Sequence, residues 1–157
     1  LERDAEKGTI STNPENHEQM VLARKHKIEQ IAERIPALQV IESKVESRKS
    51  KDILLVGWGS TEGHLHAAAN ELGCDLAHFN YICPLPKNTY EILNQYKRII
   101  VCELNTGQFA AYLRAQFPDL KIEQYNEIQG QPFAVERIVN FVKKYEILTI
   151  TLYSIFM

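Results

Sequence analysis

Residues 52–80 read DILLVGWGSTEGHLHAAANELGCDLAHFN, and this stretch decides the fold. Asp52–Gly57 (DILLVG) is a short apolar run ending in glycine, which predicts a strand. Thr61–Leu72 (TEGHLHAAANEL) is rich in good helix formers and is closed by Gly73, the usual residue just past a helix end. Asp75–Asn80 (DLAHFN) predicts a second strand. Strand, helix and strand joined by short turns form a crossover unit, which sets the two strands parallel.

The alternation continues toward the C-terminus. Asn88–Tyr96 predicts a helix. Arg98–Glu103 (RIIVCE) predicts a strand apolar enough to be covered on both faces. Gly107–Phe117 predicts a helix stopped before Pro118. Lys121–Tyr125 predicts a fourth strand. Ala134–Tyr145 predicts a helix with Val135, Ile138, Val139 and Val142 on one side. Repeated units of this kind imply a layered α/β fold, a mainly parallel sheet with helices on both faces.

Toward the N-terminus the chain changes character. Residues 1–51 hold 19 of the 38 charged side chains, so they read as an arm and residues 52–157 as the packed α/β domain. Within the arm, Asn13-Pro14-Glu15 has the cap, first-turn proline and early carboxylate of a helix start. The expected helix runs from Pro14 to about Ile35, where Pro36 ends it. Met20, Ile28, Ile31 and Ile35 form one apolar stripe, opposite Arg24, Lys25, Lys27, Glu29 and Glu33. That charged face is either solvated or a contact for another subunit. Ser43–Lys51 (SKVESRKSK) lacks periodicity and reads as a linker.

Composition excludes several classes of function. The formal net charge of −2 gives no broad attraction to nucleic acid or to an anionic membrane, so neither is expected as a partner. No apolar run reaches the ~20 residues of a membrane helix. Ile147–Met157 is too short to span, and its threonines and serine suit a strand. Leu1 and the charged residues after it do not form a signal peptide, and the expectation is a piece of a longer protein. Cys74, Cys83 and Cys102 contain no CxxC pair, which argues against a cluster or zinc site and fits a reducing cytoplasm. The five histidines make no HExxH motif, so no metal site is expected, and no nucleophile elbow supports a hydrolase triad.

In parallel α/β sheets the functional surface lies beyond the carboxyl ends of the strands. Gly57–Gly63 (GWGSTEG) opens a helix there, and free backbone N–H groups make such a turn attractive to anions. Its third glycine comes one residue late for a dinucleotide fingerprint, and it lacks the GK[ST] of a P-loop. Gly59, Ser60 and Thr61 are its candidate ligand-binding residues. The alternatives are a tight turn with Ser60 or Thr61 capping the helix, or a small-anion-binding module. Tyr81–Asn88 (YICPLPKN) is a proline-stiffened loop with Lys87 its sole charge and Asn88 placed to cap the next helix. Nothing nearby in sequence supplies the acid a Schiff-base Lys87 would need. Glu103 ends the central strand and is the single catalytic candidate, as a general base or in orienting a partner's cofactor; it could equally bind backbone N–H groups of neighbouring loops. Asn105, Gln108 and Gln131, with Lys87, read as interface residues. Phe133 anchors the turn after Gln129-Gly130-Gln131-Pro132.

Four loops in order, GWGST-x-G, PLPKN, ELN-x-GQ and QGQPF, resemble the C-terminal part of the α subunit of 2-oxoacid:ferredoxin oxidoreductases. The 2-oxoglutarate type is the nearest match, and the resemblance covers roughly residues 1–145. It implies a three-layer α/β/α domain similar to the transketolase C-terminal domain, with a mostly parallel sheet and often an antiparallel edge strand. It also implies a parent complex that oxidatively decarboxylates a 2-oxoacid to an acyl-CoA and reduces ferredoxin. Thiamine diphosphate, an iron–sulfur cluster and CoA are implied for that complex and none for this fragment, which alone would be inactive. The implied partners are the remainder of the α subunit, the β subunit and, through the complex, ferredoxin.

Overall fold

The computed structural model describes residues 2–44 and 52–144, which fall into two compact units. Among these residues, one comprises 2–37 together with Tyr81–Lys87; the other comprises 38–44, 52–80 and 88–144.

In the first unit, β1 (Glu2–Arg3) and β2 (Ile10–Ser11) form an antiparallel hairpin. Asp4 builds its turn, with Oδ1 accepting from the backbone N–H groups of Glu6 and Lys7 at 3.0 and 2.8 Å. Helix α1 (Pro14–Ile31) follows, and the Asn13 side chain accepts from Asn16 N at 2.7 Å, the expected cap. The regular helix ends at Ile31 rather than Ile35. The apolar stripe also departs from expectation: no residue of α1 is buried, and Ile28 and Ile31 are 43% and 39% exposed.

The second unit carries a five-stranded sheet. Its elements are β3 (Val40–Ile41), β4 (Ile53–Trp58), α2 (Glu62–Leu72), β5 (Asp75–Phe79), α3 (Thr89–Leu93), β6 (Arg98–Glu103), α4 (Gln108–Gln116), β7 (Ile122–Asn126) and a helix α5 over residues 135–144. The strand order is β3-β5-β4-β6-β7. All neighbours are parallel except β3, which pairs antiparallel with β5 at the edge, Val40 opposite Ala77 and Ile41 opposite Leu76. This is the mostly parallel, three-layer α/β/α arrangement expected of a transketolase C-terminal-like domain.

Strand side chains alternate between faces. Ile53, Leu55, Leu76, Ile100 and Cys102 point to one face and share a buried cluster with Leu65, Ala68 and Leu72 of α2 and Ile138, Val139 and Val142 of α5. Leu54, Val56, Ala77, Phe79, Ile99 and Val101 are buried on the other face. There Phe79 meets Phe109 of α4 edge-on, with ring centroids 5.0 Å apart. Gly57 allows α2 to lie close to β4, since a Cβ at that position would fall 2.2 Å from Leu65 Cδ1.

Two boundaries shift. The arm was drawn to residue 51, yet Leu38 is buried, Val40–Ile41 forms the edge strand and Ser43 N donates to Asp75 Oδ1 at 3.2 Å. A two-residue strand is too short to show a period, so the charge around it hid it. The linker likewise begins with the anchored Ser43; residues 45–51, and the tail Ile147–Met157, lie outside the described residues. Asn88 does not cap α3. Its amide instead bonds the Leu38 backbone twice, accepting from N at 2.9 Å and donating to O at 3.0 Å.

Candidate functional site

Three of the four motif loops meet at the carboxyl ends of β4, β6 and β7. A cavity of about 490 Å³ is lined by Ser60, His64, Leu104, Gly130, Gln131 and Pro132. A second, of about 300 Å³, is lined by Trp58, Gly59, Ser60, Thr61, Leu104 and Asn105. Ser60 and Leu104 border both, so the two form one groove across the strand ends. Its walls carry no carboxylate, lysine or arginine. Leu104 and, on the adjoining loop, Ile128 are 37% and 69% exposed.

The turn after β4 is built by Gly59 and Thr61. Gly59 takes φ +63°, a left-handed conformation that costs other residues about 1–2 kcal/mol. Thr61 does not cap α2: its hydroxyl accepts from Trp58 N at 3.2 Å and donates to Trp58 O at 2.9 Å. The hydroxyl is therefore turned into the protein, and Glu62 places a carboxylate in the first turn of α2. Both features work against an anion in the Gly57–Gly63 turn. Ser60 remains exposed on the groove.

Glu103 is fully buried and its carboxylate accepts from four donors. Oε1 accepts from Trp58 Nε1 at 3.2 Å, Asn105 Nδ2 at 3.1 Å and Phe109 N at 2.8 Å, while Oε2 accepts from Ala110 N at 2.9 Å. The two backbone donors belong to the first turn of α4, so Glu103 neutralises the positive end of that helix. Oε1 is fully occupied, Oε2 takes one donor, and the whole carboxylate is sealed from solvent, which does not suit a base acting on a ligand in the groove. Of the three roles open from sequence, the geometry is that of the N–H-binding one.

Asn105 closes the same helix start, its Oδ1 accepting from Gly107 N at 2.7 Å and Gln108 N at 3.2 Å. A ladder of side chains then crosses to β7. Asn126 Nδ2 donates to Asn105 O at 3.0 Å, Gln124 Nε2 donates to Asn126 Oδ1 at 2.8 Å, and Arg114 Nη1 donates to Gln124 Oε1 at 2.6 Å. Arg114, Gln124 and Asn126 were missed from sequence. Trp58 carried a usable signal, as the only tryptophan in the chain and one set between two glycines at a strand end.

Gln131 lines the groove and Gln108 is exposed at the start of α4. Phe133 is buried against Tyr125, with centroids 5.8 Å apart. Burial, and then the hydrogen bond from its hydroxyl to Glu127, push the Tyr125 phenol upward. Lys87 belongs to the other compact unit, where it pairs with Glu33. Cys74 and Cys102 are buried and Cys83 is exposed; desolvation, with the Cys74 and Glu103 charges behind it, pushes the Cys102 thiol upward. Among the described residues no three His, Cys, Asp or Glu side chains gather as a metal site. Three thiols spread in this way do not fit an iron–sulfur cluster. No helix among the described residues is long and apolar enough to cross a membrane.

Fold and site together define a layered α/β domain whose strand-end loops form an uncharged groove over a buried carboxylate. The chain is 33% identical over 141 residues to the 2-oxoglutarate oxidoreductase subunit KorA of Mycobacterium tuberculosis, a match covering 87% of this chain and 20% of that protein. It also superposes on the solved 2-oxoglutarate:ferredoxin oxidoreductase of Magnetococcus marinus, which has 2-oxoglutarate, coenzyme A and succinyl-CoA bound. There the TM-score is 0.74 at 28% identity, covering 90% of this chain and 25% of that one. No protein-family model matches. In sequence and in fold, then, the chain is a relative of 2-oxoglutarate:ferredoxin oxidoreductase subunits. It spans a fifth to a quarter of the length of these relatives.

Proposed function

We propose that this chain is the C-terminal assembly domain of the α subunit of a cytoplasmic 2-oxoacid:ferredoxin oxidoreductase, with 2-oxoglutarate as the 2-oxoacid. The complex decarboxylates the 2-oxoacid oxidatively to an acyl-CoA and passes electrons to ferredoxin. Thiamine diphosphate, the iron–sulfur cluster and CoA are held by other parts of the complex. This domain carries no chemistry. It presents the strand-end groove, with Ser60, Asn105, Gln108 and Gln131 around it, to the remainder of the α subunit and to the β subunit, and Lys87 serves as a further contact.

The observation that supports this reading most is the pairing of the 33% match with the groove. Three of the four loops that carry the resemblance to the α-subunit family converge on it. Of their two carboxylates, Glu103 is buried against four donors and Glu62 sits in the first turn of α2 outside the groove lining, so an uncharged, partly apolar surface is left outward. Such a surface suits docking better than acid–base work.

The test is co-expression with the other parts of the complex. With residues 52–144 deleted, assembly and 2-oxoglutarate-dependent ferredoxin reduction are both lost. An assembled and fully active complex lacking these residues would refute the proposal.

A further inference from the structure

We infer that the C-terminal half of α1 is a docking ridge for an acidic, apolar-faced segment of another protein chain. At 100° per residue Arg24, Lys27, Ile28 and Ile31 fall within one arc of α1, so the two cations flank the apolar stripe instead of opposing it, and Arg34 follows in the turn beyond Ile31, its N–H donating to Ile31 O at 2.9 Å. A cavity of about 470 Å³ opens on this side, lined by Lys27, Gln30, Ile31, Glu33 and Arg34. The helix has 18 residues and buries none of them, whereas helical stability in proteins comes mostly from a covered face.

The charges around the cavity are not balanced. Arg24 donates to Glu2 at 2.9 Å, Lys25 reaches Glu29 at 3.8 Å, and Glu33 is taken by Lys87. Among the described residues, Lys27 and Arg34 are left without an ion-pair partner, one on each side of Ile31. Lys27 lies four residues before Ile31 on the helix and Arg34 three residues beyond it in a tighter i→i+3 turn, about 12 Å apart along the axis. The complementary segment presents two carboxylates at about that spacing with an apolar side chain between them. An anionic bilayer fits less well. The helix carries Arg24, Lys25 and Lys27 against Glu15, Glu18 and Glu29, so its net attraction to a lipid surface is nil and only the local cationic pair acts.

The inference stands apart from the assembly reading and is tested on the whole chain in its own cells. Ile31→p-benzoyl-phenylalanine is photo-cross-linked and the linked peptide is identified by mass spectrometry. The expected product joins residue 31 to one segment of another protein, with Asp or Glu within four residues on both sides of the linked position. Lys27→Glu with Arg34→Glu lowers the yield at least about tenfold while helix content by circular dichroism is unchanged. Links confined to this chain, links to a basic or uncharged segment, no link, or an unchanged yield in the charge-reversed variant would each overturn it. So would binding of the chain to phosphatidylserine vesicles through this face in place of a protein link. An acidic segment found in a protein with no part in 2-oxoacid oxidation would uphold the ridge and leave the assembly reading to its own deletion test.

Discussion

The indole Nε1 of Trp58 donates to Oε1 of Glu103 at 3.2 Å, joining the carboxyl ends of the adjacent strands β4 and β6 beneath the groove. The same carboxylate holds Asn105 and the first turn of α4, so one buried side chain sets the position of two loops, those after β4 and β6. Glu103→Gln keeps the shape but turns an NH2 group toward donors. It is expected to lower unfolding stability by about 2 kcal/mol, the scale of a hydrogen bond to a charged group. Urea unfolding followed by Trp58 fluorescence reads this directly, and an unchanged midpoint would contradict the assignment.

Gly57 is set by close approach, since an added Cβ would meet Leu65 Cδ1 at 2.2 Å and Thr61 Oγ1 at 2.7 Å. Gly57→Ala therefore costs about 1–3 kcal/mol by overpacking. Leu65→Ala alone also destabilises, by about 2–5 kcal/mol for a buried leucine. Combined, the two should cost clearly less than their sum, because the cavity accepts the new methyl. Strict additivity in the double-mutant cycle would show that α2 and β4 do not meet at this point.

Thiol reactivity separates the three cysteines. Cys83 is exposed, while Cys74 and Cys102 are buried and the Cys102 thiol is pushed upward by desolvation. A native chain should titrate one thiol with Ellman's reagent at pH 8 and all three in guanidinium. Rapid reaction of two or three thiols in the native chain would contradict the packing around β6.

The hairpin and α1 are tied by Glu2, whose carboxyl is lowered to about 2, first by the Arg24 hydrogen bond and then by the Arg3 backbone N–H. A depressed carboxyl contributes stability above its ordinary value of 4.5, and that contribution is lost as the pH falls toward 2. NMR titration of the Glu2 carboxyl should find its midpoint at about 2, and Arg24→Gln should move it up toward 4.5. A wild-type midpoint already near 4.5 would show that the pair does not form.

Much of the second unit was legible because its signals are local. Arg98–Glu103 is a strand over its whole predicted length, since its apolar run is covered on both faces. Gly73 closes α2 in the left-handed conformation, as its position after Leu72 predicted. The edge strand Val40–Ile41 was not legible, because two residues carry no period and pairing with β5 supplies what defines them. The role of Glu103 was open for a related reason. Its partner Trp58 lies 45 residues away, and only sheet register brings the two together. Thr61 and Asn88 both looked like helix caps, and both serve other backbone segments instead. The stripe on α1 shows the reverse error, a helical period that marks a face without saying what covers it.

The central claim is that the groove at the strand ends is an assembly surface and that the chemistry resides elsewhere in the complex. Its most direct test is Leu104→Arg, a change on the exposed wall of the groove away from the buried cluster. The variant is co-expressed with the other parts of the complex, and co-elution is measured together with 2-oxoglutarate-dependent ferredoxin reduction. The account predicts that the variant folds normally, that co-elution and turnover fall together by at least about tenfold, and that the isolated wild-type chain shows no turnover. Full assembly and full activity with Arg at this position, or turnover by the isolated chain, would contradict it.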